Sequence, residues 1–265
     1  MHARPLLLTL FIGLLLAGCA AAPSGPVVNY TPGPMPAAHV GDTAVYRVRN
    51  AYNGELIGDV QYRVDRIDGD RVMVGVTTSS PYAGLPRTEI YTPDGNWLRH
   101  PLVNHNQVLE YEFLPPFPAY AFPLESRKGW SVRVNARNAL TDRQQSVRVD
   151  GAVLGSERIT TPAGTFNVVK IRRNVYAGDW DAFLRETNIV EIDWYAPELG
   201  RSVRLETNSN WIDTSRSPGG GVFGGSILGS NQVMRGDWFI TELTSYQIAG
   251  KAAGGAPAIA PAASR

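Results

Sequence analysis

Apolar and polar residues take turns, one by one, along much of this chain, and a two-residue period confines a polypeptide to β-structure. Ala44, Tyr46 and Val48 alternate with Val45, Arg47 and Arg49. Val60, Tyr62 and Val64 are interleaved with Asp59, Gln61, Arg63 and Asp65, and Val72, Val74 and Val76 repeat the pattern. It returns at Trp130, Val132 and Val134, at Val147 and Val149, at Val169, Ile171 and Arg173, and at Val190, Ile192 and Trp194. Each run marks a strand with one buried and one wetter face. The dipeptides Asn53-Gly54, Asp68-Gly69, Asp94-Gly95 and Asp150-Gly151 supply the positive φ angles that tight hairpins need. No stretch sustains a 3.6-residue period, and helix interiors would have to absorb many Gly, Pro and β-branched residues. The expectation is an all-β fold: one strongly curved antiparallel meander sheet of about ten strands, forming a half-barrel or open barrel with few or no helices and an apolar concave side.

Two segments interrupt the alternation. Leu114 to Leu124 is apolar but dense in proline, which excludes a central strand and leaves it to cover one face or mouth of the sheet. Pro218 to Gly236 is glycine-rich with Val222, Phe223, Ile227 and Leu228 embedded, the composition of a long loop.

The N-terminus follows different rules. His2 and Arg4 precede an apolar run, Leu6 to Leu16, too short to span a bilayer, which takes about 20 residues. It has the length of the hydrophobic region of a secretory signal. A buried helix of the folded domain is the alternative, but the run is apolar on every side and stops at small residues before a cysteine. Leu16-Ala17-Gly18-Cys19 resembles the bacterial lipobox, in which the bond between Gly18 and Cys19 is cut and the cysteine is lipidated. Cys19 is the chain's only cysteine, so lipidation would leave no thiol for disulfide or metal chemistry. One acyl chain anchors marginally, whereas the three carried by such lipoproteins hold fast. Ala20 stands where lipoproteins kept at the inner membrane often have Asp, which by resemblance implies the outer membrane, facing the periplasm.

The domain plan that follows is a signal peptide over 1–18, a lipidated Cys19 with a Pro/Ala/Gly tether over 19–38, a single β-sheet domain over 39–248 and a disordered tail over 249–265. The tether and tail lack the apolar surface needed to offset their ordering entropy. Removing Arg4 from the 25 lysines and arginines leaves 24, equal to the 24 aspartates and glutamates. A neutral chain lacks the basic footprint of a nucleic-acid binder.

Two longer stretches carry a second resemblance. One runs from Gly155 to Phe166 (GSERITTPAGTF) and on to Val169-Lys170-Ile171; the other is Trp194 to Gly200 (WYAPELG), followed by Val203-Arg204-Leu205. With Phe122-Pro123-Leu124 and Gly129-Trp130, they resemble a loose group of uncharacterised bacterial envelope proteins with a curved antiparallel sheet. That group is similar in architecture to the lipoprotein-localisation-factor superfamily, whose half-barrels hold acyl chains. Neither stretch contains a nucleophile–base pair, so the resemblance implies fold and compartment more than activity.

No catalytic motif emerges. His100 and His105 share a polar loop without a third ligand in view, and Asp179-Trp180-Asp181 lacks the acidic spacing of a calcium loop. Gly219, Gly221 and Gly224 match G-x-G-x-x-G by count but not by context. The expected function is therefore non-enzymatic, with no metal or cofactor: an interaction or envelope-maintenance role at the membrane, through a partner protein of the envelope. The alternative is an acyl-chain or apolar-ligand binding module, with Phe113, Phe117, Tyr120, Phe122 and Trp130 as the lining aromatics. A metal-dependent hydrolase built on His100, His105 and the Asp179–Asp181 loop is a further alternative. Cys19→Ala is expected to abolish incorporation of a palmitate analogue and to shift the protein from the membrane pellet to the soluble fraction; a variant that still pellets and labels refutes the anchor.

Overall fold

The computed structural model describes residues 29–104, 107–178, 186–213, 232–249 and 254–255. Cys19, the apolar run before it and the core of the glycine-rich segment, 218–231, lie outside the described residues.

Twelve strands follow one another around a single sheet, each paired antiparallel with the next. They are β1 (Thr43–Asn50), β2 (Leu56–Asp68), β3 (Arg71–Thr78), β4 (Arg87–Tyr91), β5 (Trp97–Asn104), β6 (Gln107–Phe117), β7 (Gly129–Asn138), β8 (Gln144–Thr161), β9 (Gly164–Ala177), β10 (Thr187–Ala196), β11 (Arg201–Asp213) and β12 (Gln232–Gln247). The expected half-barrel or open barrel is instead closed, because β12 pairs with β1 from Thr43↔Gln247 to Asn50↔Phe239. Closure removes both free edges, which an open meander would leave exposed to other chains. A two-residue strand, β13 (Gly254–Gly255), continues the ladder on Ser245 and Tyr246 beyond the end of β11. The only helical turn among the described residues is a 3-10 turn at Pro81–Ala83.

Three of the four glycine dipeptides form the expected hairpin turns: Gly54, Gly69 and Gly95 have φ of 75°, 58° and 76°. Asp150-Gly151 does not. It lies inside β8, opposite Trp130 of β7, where a Cβ at residue 151 would overlap the indole ring. That glycine serves close packing. Gly236 is likewise within β12, so the glycine-rich segment ends earlier than its composition implied.

The alternation also reads correctly on most strands, with one inversion. On β10 the apolar set Val190, Ile192 and Trp194 was the expected buried face, yet Ile189, Glu191, Asp193 and Tyr195 are the more deeply buried. Buried acids disguise the true inward face. Trp194 is buried on the opposite side, where Glu157 accepts from its Nε1 at 2.6 Å and Lys170 and Arg204 lie over its ring at 4.9 and 5.1 Å.

Twelve strands enclose more volume than the side chains of a narrow barrel fill. Here the barrel is pinched: β5 touches β9 and β10 across the interior. One lobe, spanning β5 to β10, is packed solid by Trp97, Tyr111, Phe113, Phe117, Val134, Val149, Val175 and Ile189, among others. The proline-rich segment enters here. Its first part extends β6, pairing Phe117 with Trp97, while the β7 ladder stops at Leu114, so the prolines cost no hydrogen bond on that side. Its second part folds over the end of the lobe and buries Leu124 against Val153, Ile171 and Tyr195. The other lobe holds a valine layer, Val48, Val60, Val64, Val72, Val74 and Val76.

Gly151→Val tests this account against simple propensity. Valine favours strands by up to about 1 kcal/mol, but displacing Trp130 is expected to lower stability by about 1–3 kcal/mol. The midpoint of chemical denaturation should fall; an unchanged or higher midpoint contradicts the packing.

Candidate functional site

A cavity of about 240 Å³ lies inside the barrel, in the lobe that the side chains do not fill. It sits at the rim where β1 begins and β12 ends, and residues from β1 to β5 and β9 to β12 contribute to its wall. Valines 64, 72 and 74 line its apolar side; Tyr46, Tyr62, Tyr91, Trp97 and Tyr120 supply aromatic faces. Met35 to Ala38 line it as well. This end of the expected 19–38 tether is packed against the barrel: a Cβ at Gly95 would meet Met35 at 2.8 Å, and one at Gly200 would meet Pro36 at 3.4 Å. The two glycines belong to the β4–β5 and β10–β11 turns, on opposite walls of the pinched barrel. Two consecutive residues therefore bridge the rim.

Charge is concentrated at the pinch. Arg173 of β9, 2 % exposed, donates from Nε to Glu191 at 2.7 Å, and from one terminal nitrogen to Asp193 at 3.1 Å and the Ala119 carbonyl at 3.0 Å. Burial works against its charge, but Glu191 and Asp193 outweigh that and hold its pKa above the ordinary arginine value. Asp193 accepts two further hydrogen bonds, from the Tyr120 hydroxyl at 3.0 Å and Ser202 Oγ at 2.6 Å. Burial, reinforced by Asp193, raises the Tyr120 pKa well above its usual value, so its proton stays on. On the facing wall Glu89, 1 % exposed, is paired with Arg87 at 2.6 Å and accepts from the Tyr91 hydroxyl. Between the two groups His100 stacks on Trp97, ring centroids 3.8 Å apart, and Trp97 stacks in turn on Phe117 at 4.1 Å.

His100 Nδ1 lies 2.7 Å from the Pro101 carbonyl, which can only accept, so Nδ1 carries the proton. Nε2 then faces Glu89 at 3.4 Å. Burial pushes the imidazole pKa down, Glu89 pulls it partly back, Arg87 lowers it and Glu191 raises it. The net direction is downward from 6.5, which keeps His100 neutral at pH 7.

Of the five aromatics expected to line a ligand surface, Tyr120 alone borders this cavity. Phe113 and Phe117 are buried in the packed lobe, Phe122 packs on Tyr195 with centroids 5.7 Å apart, and Trp130 donates its Nε1 hydrogen to the Pro118 carbonyl at 3.0 Å. His105 and Asp179–Asp181 lie outside the described residues, as does Cys19. Among the described residues no group of three or more His, Cys, Asp or Glu side chains is placed to hold a metal ion. Sequence reasoning missed Glu89, Arg173, Glu191 and Asp193. Arg173 was the one legible signal, a cation in register with Val169 and Ile171 on an otherwise apolar face.

No family model matches the chain, and no curated protein does either. Among solved structures it is similar to a "putative lipoprotein" from Parabacteroides distasonis, at 15% identity and TM-score 0.45 over 81% of this chain and 97% of that one. It is also similar to a "putative exported protein with YmcC-like fold" from Bacteroides fragilis, at 15% identity and TM-score 0.42 over 78% of this chain and 95% of that one.

The buried imidazole makes stability depend on pH. Because folding lowers the His100 pKa, the unfolded chain takes up this proton first, and stability falls as pH drops through and below about 6.5. The unfolding midpoint should decline from pH 7.5 to 5.5, and His100→Gln should shrink that decline; an equal decline in both proteins would remove His100 as its source.

Proposed function

We propose that this protein is a non-catalytic binding protein of the bacterial envelope, which holds a small ligand in the open lobe of its barrel while a lipid on Cys19 keeps it at the outer membrane, facing the periplasm. The observation that carries the reading is the cavity itself: about 240 Å³, walled by valines and aromatic rings with a few placed polar groups. That is the composition of small-molecule sites, and its size lies just under their usual lower limit of about 300 Å³. Barrel interiors are a recurrent place for such sites. The LAGC quartet ending at Cys19 supports the anchor and the compartment.

Binding is favoured over catalysis by the state of the polar groups. Asp193 accepts three hydrogen bonds, and burial lowers the His100 pKa and makes its imidazole a weaker base, so neither is set up as a general base toward a ligand. Ligand capture is favoured over a role confined to the outer surface because an unfilled interior forgoes dispersion contacts that a ligand would restore.

Native mass spectrometry of protein extracted gently from its own membranes should find a small non-covalent adduct, and Val74→Phe, which fills the cavity, should reduce it. A bare wild-type protein whose thermal stability no small apolar compound raises would overturn the reading.

A further inference from the structure

From the charges facing the cavity, and resting on the binding function above, we infer that its ligand is a small organic anion: a carboxylate with an apolar body, its charge seated against Arg201. Most ionic groups on the cavity wall are already engaged. Asp42 accepts two backbone hydrogen bonds, from His39 and Ala249, each at 2.8 Å. Asp193 accepts three. Arg63 is paired with Asp65 at 2.7 Å, and Arg173 is held between Glu191 and Asp193.

Arg201 differs. It opens β11 just after the turn at Gly200 and faces the cavity, yet no carboxylate of the described residues lies within ion-pair distance of it. Its guanidinium reaches the Tyr46 hydroxyl, which itself donates to the Ser202 carbonyl at 2.8 Å, and its Nε is buried with no partner. Arg99, Arg148 and Arg204 also have an unpartnered Nε, but each of these is paired through the salt bridges to Glu110, Asp150 and Glu242. Arg201 is therefore the cation on the cavity wall that lacks a counter-charge among the described residues.

A half-enclosed cation without a partner is electrostatically costly, and an anion brought into the cavity relieves that cost. A cationic ligand meets the opposite situation: every wall carboxylate is already satisfied, so its charge would have to displace an existing bond. The apolar body follows from Val64, Val72, Val74 and Trp97 on the same wall. The volume of about 240 Å³, just under the usual lower limit of about 300 Å³ for small-molecule sites, keeps that body short.

Three probes of one chain length separate the charges: octanoate, octanol and octylammonium, titrated by calorimetry into the full-length protein held in amphipol without detergent. Octanoate should bind roughly tenfold or more tighter than octanol, the expected scale for a charged hydrogen bond, and octylammonium weakest. Arg201→Gln should erase the advantage of octanoate while leaving octanol unchanged, and Arg201→Lys should restore part of it. Octanoate and octanol binding equally to wild type, or octylammonium binding best, overturns the anionic ligand while leaving the binding function standing. Failure of all three to bind overturns the binding function itself. Should Arg201→Gln fail to fold, the ranking of the three probes on the wild-type protein decides alone. Comparing the adduct of membrane-extracted protein with that of soluble Cys19→Ala protein separates an anion drawn from lipid from one taken out of solution.

Discussion

Arg173 is the cation on which two walls of the barrel meet. It stands on β9 in register with Val169, Ile171 and Val175, where an apolar side chain would be the ordinary choice, and it binds Glu191 and Asp193 of the next strand together with the Ala119 carbonyl. Desolvating a guanidinium and two carboxylates is expensive, and their mutual attraction offsets the cost only with good geometry and every remaining lone pair met. Tyr120 and Ser202 meet those of Asp193. Removing Arg173 would leave two buried acids side by side, so the ladder β9–β10 and the segment after β6 depend on one side chain. The contact with Ala119 also draws the proline-rich segment into the barrel, and with it Leu124, which has no exposed surface.

The pinch explains why this barrel has two unlike halves. A twelve-strand tube kept round would leave a wide lumen, and a wet lumen forfeits the burial on which a sheet of this length depends. Bringing β5 against β9 and β10 divides the space. One part becomes narrow enough for Phe113, Phe117, Val149 and Val175 to fill; the other keeps a valine layer and an opening. Solid core and hollow are products of the same collapse.

Much of the architecture was legible in the alternation. Strand identity, the antiparallel order and three glycine turns follow from neighbours in sequence, and those are local facts. Closure was not legible, because the seam joins Thr43 to Gln247 and nothing near either residue announces the other. Asp150-Gly151 misled for a related reason: its glycine answers Trp130 across the sheet, not a turn in the chain. On β10 the pattern pointed to the wrong face, since Glu191 and Asp193 occupy inward positions that composition assigns to solvent. The cavity was the least accessible feature of all. Its wall takes one to three residues from each of nine strands, so no segment contains it.

An even number of strands returns the chain to the rim where it started, and that rim is the one carrying the cavity. The N-terminal segment crosses it, with Tyr30 and Met35 packed against the core and Pro36 against the Gly200 turn. Any tension transmitted along that segment arrives at Tyr30 and Met35 before it reaches a strand. Met35 and Pro36 belong to the wall of the cavity and to no strand, so displacing them would widen the hollow without breaking a single strand pairing.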